Sequence, residues 1–299
     1  MGVGPIVIAG GTGLLGTALG EALRHDGHSV VVLTRHPKRD HDVRWAPGET
    51  DTSWTSVLDG ADAVINLAGA SIAGGRWTTA RKAAILDSRT QATGALARAI
   101  TAARQPPRVF ISSSAVGFYG TRGDEPLTEA SPSGSDFLGQ VGQLWEAAAR
   151  GASKHSRLVL LRSGVVLARD GGALPQLALP FKLFAGGPAG TGRQFISWIH
   201  IHDWVEMVKW ALAEQTIAGP LNVTSPNPVT NEEFARTIGR VLNRPPWLKA
   251  PAFALRLALG EMADALVLGG QRVLPEVARQ RGFVFRYPAL ESALREIYR

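Results

Sequence analysis

Residues 5–16 read Pro5-Ile6-Val7-Ile8-Ala9-Gly10-Gly11-Thr12-Gly13-Leu14-Leu15-Gly16. A short apolar run enters a cluster of glycines, and Leu14, Leu15, Leu19 and Leu23 then recur at helical spacing. The pattern predicts strand, tight turn, helix. Two glycine templates fit at once: G-x-G-x-x-G from Gly11 and G-x-x-G-x-x-G from Gly10. Glycine lets the chain turn sharply and lets backbone N–H groups approach a pyrophosphate at a helix N-terminus, where the partial positive charge favours an anion. Glycines alone serve many ordinary turns, but these follow an apolar strand and open a helix. Gly10, Gly11, Thr12, Gly13, Leu14, Leu15 and Gly16 are therefore the expected cradle of a dinucleotide.

The cofactor is read at the end of the next strand, expected over His28 to Thr34. An acidic residue there accepts from the ribose 2′-OH of NAD, whereas a cation suits the 2′-phosphate of NADP. The chain continues Thr34-Arg35-His36-Pro37-Lys38-Arg39, with no carboxylate before Asp40. Arg35 can pair with a phosphate in bidentate fashion and Thr34 can donate a hydroxyl. NADP is expected over NAD; the alternative is that these are surface charges on a loop.

Further along, Asp62 to Leu67, Arg108 to Ser112 and Leu158 to Leu161 read as short buried strands. A long helix or a pair of helices is expected between Arg76 and Arg104, and another helix over Phe137 to Gly151. Such alternation predicts βαβ units: an α/β, Rossmann-type doubly wound parallel sheet. From about Gly171 the chain turns rich in Gly and Pro, as at Gly186-Gly187-Pro188 and Pro245-Pro246. Residues 1–170 are expected to form the cofactor domain, with 195–225 returning to it. Residues 171–299 are expected to cap the substrate over the C-terminal edge of the sheet and to include a helical C-terminal part, about 247–299. In that part Phe253 to Leu268 and Leu290 to Ile297 read as helices.

The 299-residue chain is 45% hydrophobic and 19% charged, an ordinary globular composition that excludes disorder and fibrous repeats. It has no cysteine, which excludes a disulfide framework, a thiolate nucleophile and a cysteine-ligated metal. The net charge of +7 is dispersed, with Arg35, Lys38 and Arg39 its one tight cluster, so no nucleic-acid partner is expected. Met1 to Gly13 lacks the basic start of a signal peptide, and no apolar stretch is long enough to span a bilayer. A cytoplasmic protein without a membrane partner is expected; its oligomeric state is not legible.

Asn66-Leu67-Ala68-Gly69, Ser112-Ser113-Ser114-Ala115 leading to Tyr119-Gly120, Arg162-Ser163-Gly164-Val165 and Trp198-Ile199-His200-Ile201-His202-Asp203 join the glycine turn in one pattern. The pattern resembles the extended and atypical short-chain dehydrogenase/reductases, the NAD-dependent epimerase/dehydratase group. Gly74-Gly75-Arg76-Trp77, Leu86-Asp87-Ser88-Arg89 and Gly260-Glu261-Met262-Ala263-Asp264 resemble its epimerase-like branch with a helical C-terminal domain of unknown function. The resemblance implies that Leu67, Ala68, Gly69 and Ser112 lie along the cofactor. It also implies that Ser114 orients a substrate carbonyl or hydroxyl, or satisfies backbone groups instead. Ser113 and Arg89 are expected near substrate, with Arg89 either holding an anionic group or solvated or paired on its helix face. His200, His202 and Asp203 lack a convincing further ligand, and no metal is expected.

Active members of that group use Tyr-x-x-x-Lys, in which Lys lowers the Tyr pKa for proton transfer. No such spacing exists here: the residues four after Tyr119 and Tyr287 are Gly123 and Glu291, and Tyr298 is penultimate. Alignment on Trp145-Glu146 puts Leu138 and Gly142 at the two positions. Any acid role then falls to Tyr119 with Ser114 as hydrogen-bond partner, unless Tyr119 is only a wall of the pocket. The expected function is an NADP-dependent oxidoreductase or epimerase-like enzyme acting on a small polar substrate. The alternative is a non-catalytic NADP-binding sensor or regulatory protein.

Overall fold

The computed structural model describes residues 4–49 and 51–299; residues 1–3, on which the leader reading partly rests, lie outside the described residues. The strands of the main sheet are β1 (Ile6–Ala9), β2 (Val30–Thr34), β3 (Asp42–Arg44), β4 (Ala63–Asn66), β5 (Val109–Ala115), β7 (Arg157–Ser163) and β11 (Gly219–Val223). Short pairs outside it are β6 (Pro126–Leu127) with β13 (Arg272–Val273), β8 (Val165–Leu167) with β10 (Trp198–His200), and β9 (Phe195–Ile196) with β12 (Val229–Thr230). The helices include α1 (Leu14–His25), α2 (Thr79–Ala102), α3 (Phe137–Ala149), α4 (Leu174–Lys182), α5 (Ile201–Ala213) and α6 (Asn231–Val241). The C-terminal ones are α7 (Ala252–Leu259), α8 (Glu261–Ala263), α9 (Glu276–Gln280) and α10 (Leu290–Ile297).

The seven sheet strands are parallel in the order β11-β7-β5-β4-β1-β2-β3, with register such as Ile8 beside Val32 and Ile65. Strand residues alternate between two apolar layers. Ile6, Ile8, Val32, Ile65, Ile111 and Val159 pack with Leu19 of α1 and Trp204 and Val208 of α5. Val7, Ala9, Leu33, Val64 and Phe110 pack with Leu96 and Ile100 of α2. A strand buried on both faces reads as a continuous apolar run, which is why Ile6 to Ala9 shows no alternation. The chain runs outward from β1 to β2 and β3 and then crosses back to place β4 on the other side of β1, so the strand order reverses there and the crevice at the C-terminal ends is where such sheets bind ligands.

Of two helical expectations, one resolves to its first alternative and one changes. The stretch between Arg76 and Arg104 is one 24-residue helix, α2, capped by the Thr78 hydroxyl accepting from Arg81 N at 3.1 Å. The helix expected over Phe253 to Leu268 is broken at Gly260, whose φ of 64° lies in the left-handed region that an L side chain rarely adopts. After α8 the chain makes a π-helical turn over Asp264–Leu268.

Candidate active site

The glycine turn is built as its sequence demands. The chain leaves β1 through Gly10, at φ 77°, and Gly10 N donates to Leu33 O of β2 at 3.4 Å. Gly13 is the N-cap of α1 and offers no capping side chain, so the amides of the first helical turn find no protein side chain to bond. A Cβ on Gly16 would stand 2.5 Å from both Gly10 O and Gly11 Cα, which ties the helix start directly against the turn. Thr12 and Gly13 are exposed, and Leu14 is touched from above: a Cβ on Gly171 would be 3.2 Å from Leu14 Cδ1. The chain beyond Leu167 thus returns to the cofactor turn.

Arg35 stands two residues beyond Leu33, exposed, with no side-chain hydrogen bond or ion pair among the described residues. Thr34 Oγ1 accepts from His36 N at 3.3 Å, which leaves its O–H free to donate outward. Across the crevice, Asn66 is fully buried and shapes the turn after β4. Its Nδ2 donates to Thr93 Oγ1 at 2.8 Å, and its Oδ1 accepts from Ala68 N at 3.1 Å. Leu67, Ala68 and Gly69 follow it as a partly open edge facing the glycine turn, where a Cβ on Gly10 would lie 2.8 Å from the Leu67 carbonyl carbon. Ser112 is buried behind that edge, 3.5 Å from Asn66 Nδ2.

Arg89 is 9% exposed beside Gly69, and its Nη1 donates to Ala70 O at 3.0 Å and Ile85 O at 2.9 Å. The guanidinium packs 4.9 Å from the centre of a Trp145 ring. Burial, with the nearby charge of Arg81, pulls its pKa down to about 10, since no carboxylate offsets the desolvation. The helix-face alternative therefore takes a third form: Arg89 is neither solvated nor ion-paired, but pins the turn that follows Gly69.

Ser114 and Tyr119 belong to a buried polar network. Ser114 Oγ donates to Glu146 Oε1 at 2.8 Å. Arg162 grips the same carboxylate in bidentate fashion, Nε to Oε1 at 2.8 Å and Nη2 to Oε2 at 2.9 Å. Its Nη1 donates to Tyr119 Oη at 3.0 Å, and Tyr119 in turn donates to Asn222 Oδ1 at 2.6 Å. Burial raises the Tyr119 pKa, against the opposing influence of Arg162. Burial works against the Arg162 charge as well, but its bonds to Glu146 and Tyr119 outweigh this and hold it above the ordinary arginine value. Both hydroxyl protons expected to serve substrate are thus committed inside the protein, and Tyr119, fully buried, takes its place as part of the wall of a neighbouring cavity. Ser113, on the alternate face of β5, is the partly exposed serine of the three. Glu146, Arg162 and Asn222 were not among the expected site residues; the signal for them was a charged residue inside the apolar run of β7, which requires a buried partner.

At Gly142 the structure leaves no room for a lysine side chain, and Leu138 packs close to Gly117. A Cβ on Gly117 would meet Leu138 Cβ at 3.2 Å, and one on Gly142 would meet Phe118 Cα at 2.9 Å. Leu138 instead borders a cavity of about 610 Å³ whose lining includes Trp77, Arg122, Asp136, Glu261 and Asp264. Of its lining carboxylates, Glu261 pairs with Lys82 at 2.5 Å and Asp264 with Arg256 at 2.9 Å. His200 and Asp203 have other work: His200 Nε2 meets Glu296 at 2.8 Å, and Asp203 accepts from Arg286 N and Tyr287 N at 3.0 and 2.9 Å.

Residues 6–223 match the family model described as the NAD dependent epimerase/dehydratase family, and residues 250–297 match a domain of unknown function. Epimerase family protein YfhF of Bacillus subtilis is 42% identical over 98% of this chain and 97% of its own length. The chloroplastic SDR39U1 homolog of Arabidopsis thaliana is 41% identical over 98% of this chain and 86% of its own. The crystal structure of human epimerase family protein SDR39U1 (isoform 2) with NADPH superposes with a TM-score of 0.89 at 37% identity, covering 98% of both chains. With that family model matched over most of its length and relatives this similar end to end, the chain belongs to the NAD dependent epimerase/dehydratase family.

Proposed function

We infer that the protein binds NADP(H) across the glycine turn and acts as an oxidoreductase or epimerase-like enzyme on a small polar substrate. The observation that carries the cofactor half is Arg35: an exposed, unpaired cation at the end of β2, where an NAD site needs a carboxylate. The NADPH in the human relative's structure supports the same reading. When bound, the nicotinamide supplies or accepts hydride. The turn amides hold the pyrophosphate, Arg35 and Thr34 hold the 2′-phosphate, and Leu67 to Gly69 with Ser112 behind them shape the opposite wall. Substrate lies against Ser113 and in the cavity bordered by Leu138, where Arg122, Asp136, Glu261 and Asp264 favour a polar molecule. Residues 1–170 with 195–225 act as the cofactor unit, and 171–299 as the cap. A cysteine-free chain fits the reducing cytoplasm.

Ser114 and Tyr119 hold the end of β5 in place and do not themselves move a proton to substrate. With Leu138 and Gly142 at the usual proton-donor positions, reduction is slow and narrow in scope. That pairing also favours the second reading, a cofactor-binding sensor or regulatory protein. Calorimetric titration with NADPH and NADH tests the first half. Arg35→Ala is expected to weaken NADPH by about tenfold and leave NADH unchanged; equal affinities in the unaltered protein would overturn it. NADPH oxidation across a panel of carbonyl compounds then separates enzyme from sensor.

A further inference from the structure

Nine large apolar side chains stand exposed among the described residues, and seven of them fall in two segments: Leu179, Leu183 and Phe184, and Trp247, Leu248, Phe253 and Leu257. The segments are stitched together. Trp247 Nε1 donates to Phe184 O at 3.1 Å, Leu248 N to Gly186 O at 3.2 Å, and Ala250 N to Pro188 O at 2.9 Å. Helix α7 has no buried residue, and Phe253 and Leu257, one turn apart on it, are 74% and 78% exposed. Phe184 holds a left-handed backbone, φ 59°, which is costly for a bulky aromatic, and keeps its ring outward under the Arg244 guanidinium at 4.2 Å.

The charges of these segments are all of one sign. Residues 174–200 and 242–260 contain Lys182, Arg193, Arg244, Lys249 and Arg256 and no Asp or Glu. Among the described residues only Arg256 of these has a carboxylate partner, Asp264. Projecting Trp, Phe and Leu beside unneutralised Lys and Arg are the features of a surface that lies in a bilayer interface, aromatic and aliphatic tips in the acyl boundary and cations at the headgroups. A second copy is disfavoured, because a twofold interface would press Lys and Arg against their own equivalents.

We propose that this face docks the protein on an anionic lipid surface, with Trp247, Phe253 and Leu257 entering the interface and Lys182 and Lys249 meeting the headgroups. No helix among the described residues is long and apolar enough to cross a membrane, so the contact is peripheral. It revises the sequence expectation of no membrane partner and stands independently of the cofactor reading.

The test is co-sedimentation of the full chain with vesicles of phosphatidylcholine alone and of phosphatidylcholine with phosphatidylglycerol at about 7:3. Binding is expected on the anionic vesicles only, weakened by salt. It should fall about tenfold in Trp247→Glu/Phe253→Glu and in Lys182→Glu/Lys249→Glu. Circular dichroism and melting temperature report whether each variant folds, and single Phe253→Ala and Lys249→Ala variants replace any double variant that does not. Failure to bind either vesicle, or binding untouched by these substitutions, overturns the proposal. So does self-association in sedimentation velocity abolished by Phe253→Glu, which assigns the face to a second copy. Retention on a soluble polyanion equal to that on vesicles and indifferent to Phe253→Ala assigns it to an acidic macromolecule.

Discussion

The glycine turn, at the end of β1, and the network around Arg162, on β5, β7 and β11, belong to one parallel sheet with β4 between them, yet they treat polar groups in opposite ways. At the turn, the first amides of α1 meet no side chain and Arg35 meets no carboxylate. Around Arg162 nearly every polar atom has a partner within the protein, from Ser114 through Glu146 and Tyr119 to Asn222. Unsatisfied groups at a surface crevice await a ligand, whereas a satisfied buried network specifies and stiffens the fold. The hydroxyls most suggestive of chemistry in the sequence sit on the stiffened side.

The largest break in this contrast comes from Arg162→Met. It strands the Glu146 carboxylate, 1% exposed in its side chain, without a counter-ion, and should cost about 3–5 kcal/mol in urea unfolding. A loss near zero would mean that water already reaches the pair. Gly16→Val acts at the other end: its Cβ has no space against Gly10 O, and NADPH affinity should drop by about a hundredfold, ~2.7 kcal/mol, in calorimetry. Tyr119→Phe sharpens the assignment of Tyr119 to the stiff side. It should cost about 1 kcal/mol of stability by leaving Asn222 Oδ1 without a donor, while cofactor affinity stays unchanged. A large loss of turnover without loss of stability would return Tyr119 to the chemistry.

The smallest effect is a pH slope outside both regions. Burial lowers the His200 pKa below the ordinary 6.5, although Glu296 and Asp203 pull it upward. Between the folded value and 6.5 the unfolded chain binds more protons, so stability rises with pH there and falls as pH drops through 6.5. His200→Gln should flatten that part of a stability-against-pH curve, and an unchanged slope would place its origin elsewhere.

The sheet and turn were legible because local rules govern them. Ile6 to Ala9 is apolar on both faces, and Gly10 to Gly16 can be little else beside a helix start. The buried network was not, because it joins residues 114, 119, 146, 162 and 222, which meet only when β5, β7, β11 and α3 have packed together. Arg162 alone carried a trace, as a cation inside an apolar run. The single helix expected over Phe253 to Leu268 misled for a different reason: apolar periodicity continues across Gly260, while the backbone at that glycine turns away.

The short pairing of β13 with β6 has a consequence for the order in which the fold closes. Val273 N donates to Ser197 Oγ at 2.9 Å, Asn222 Nδ2 donates to Leu274 O at 2.9 Å, and Glu129 Oε1 accepts from Val277 N at 3.3 Å. Each bond joins residues 273–277 to a residue made much earlier. Until residues 272–277 have been made and docked, Asn222 and Glu129 face the sheet edge half-satisfied, and β11 lacks the segment that covers it. A chain interrupted before Arg272 is therefore the form most exposed to chaperones and proteases.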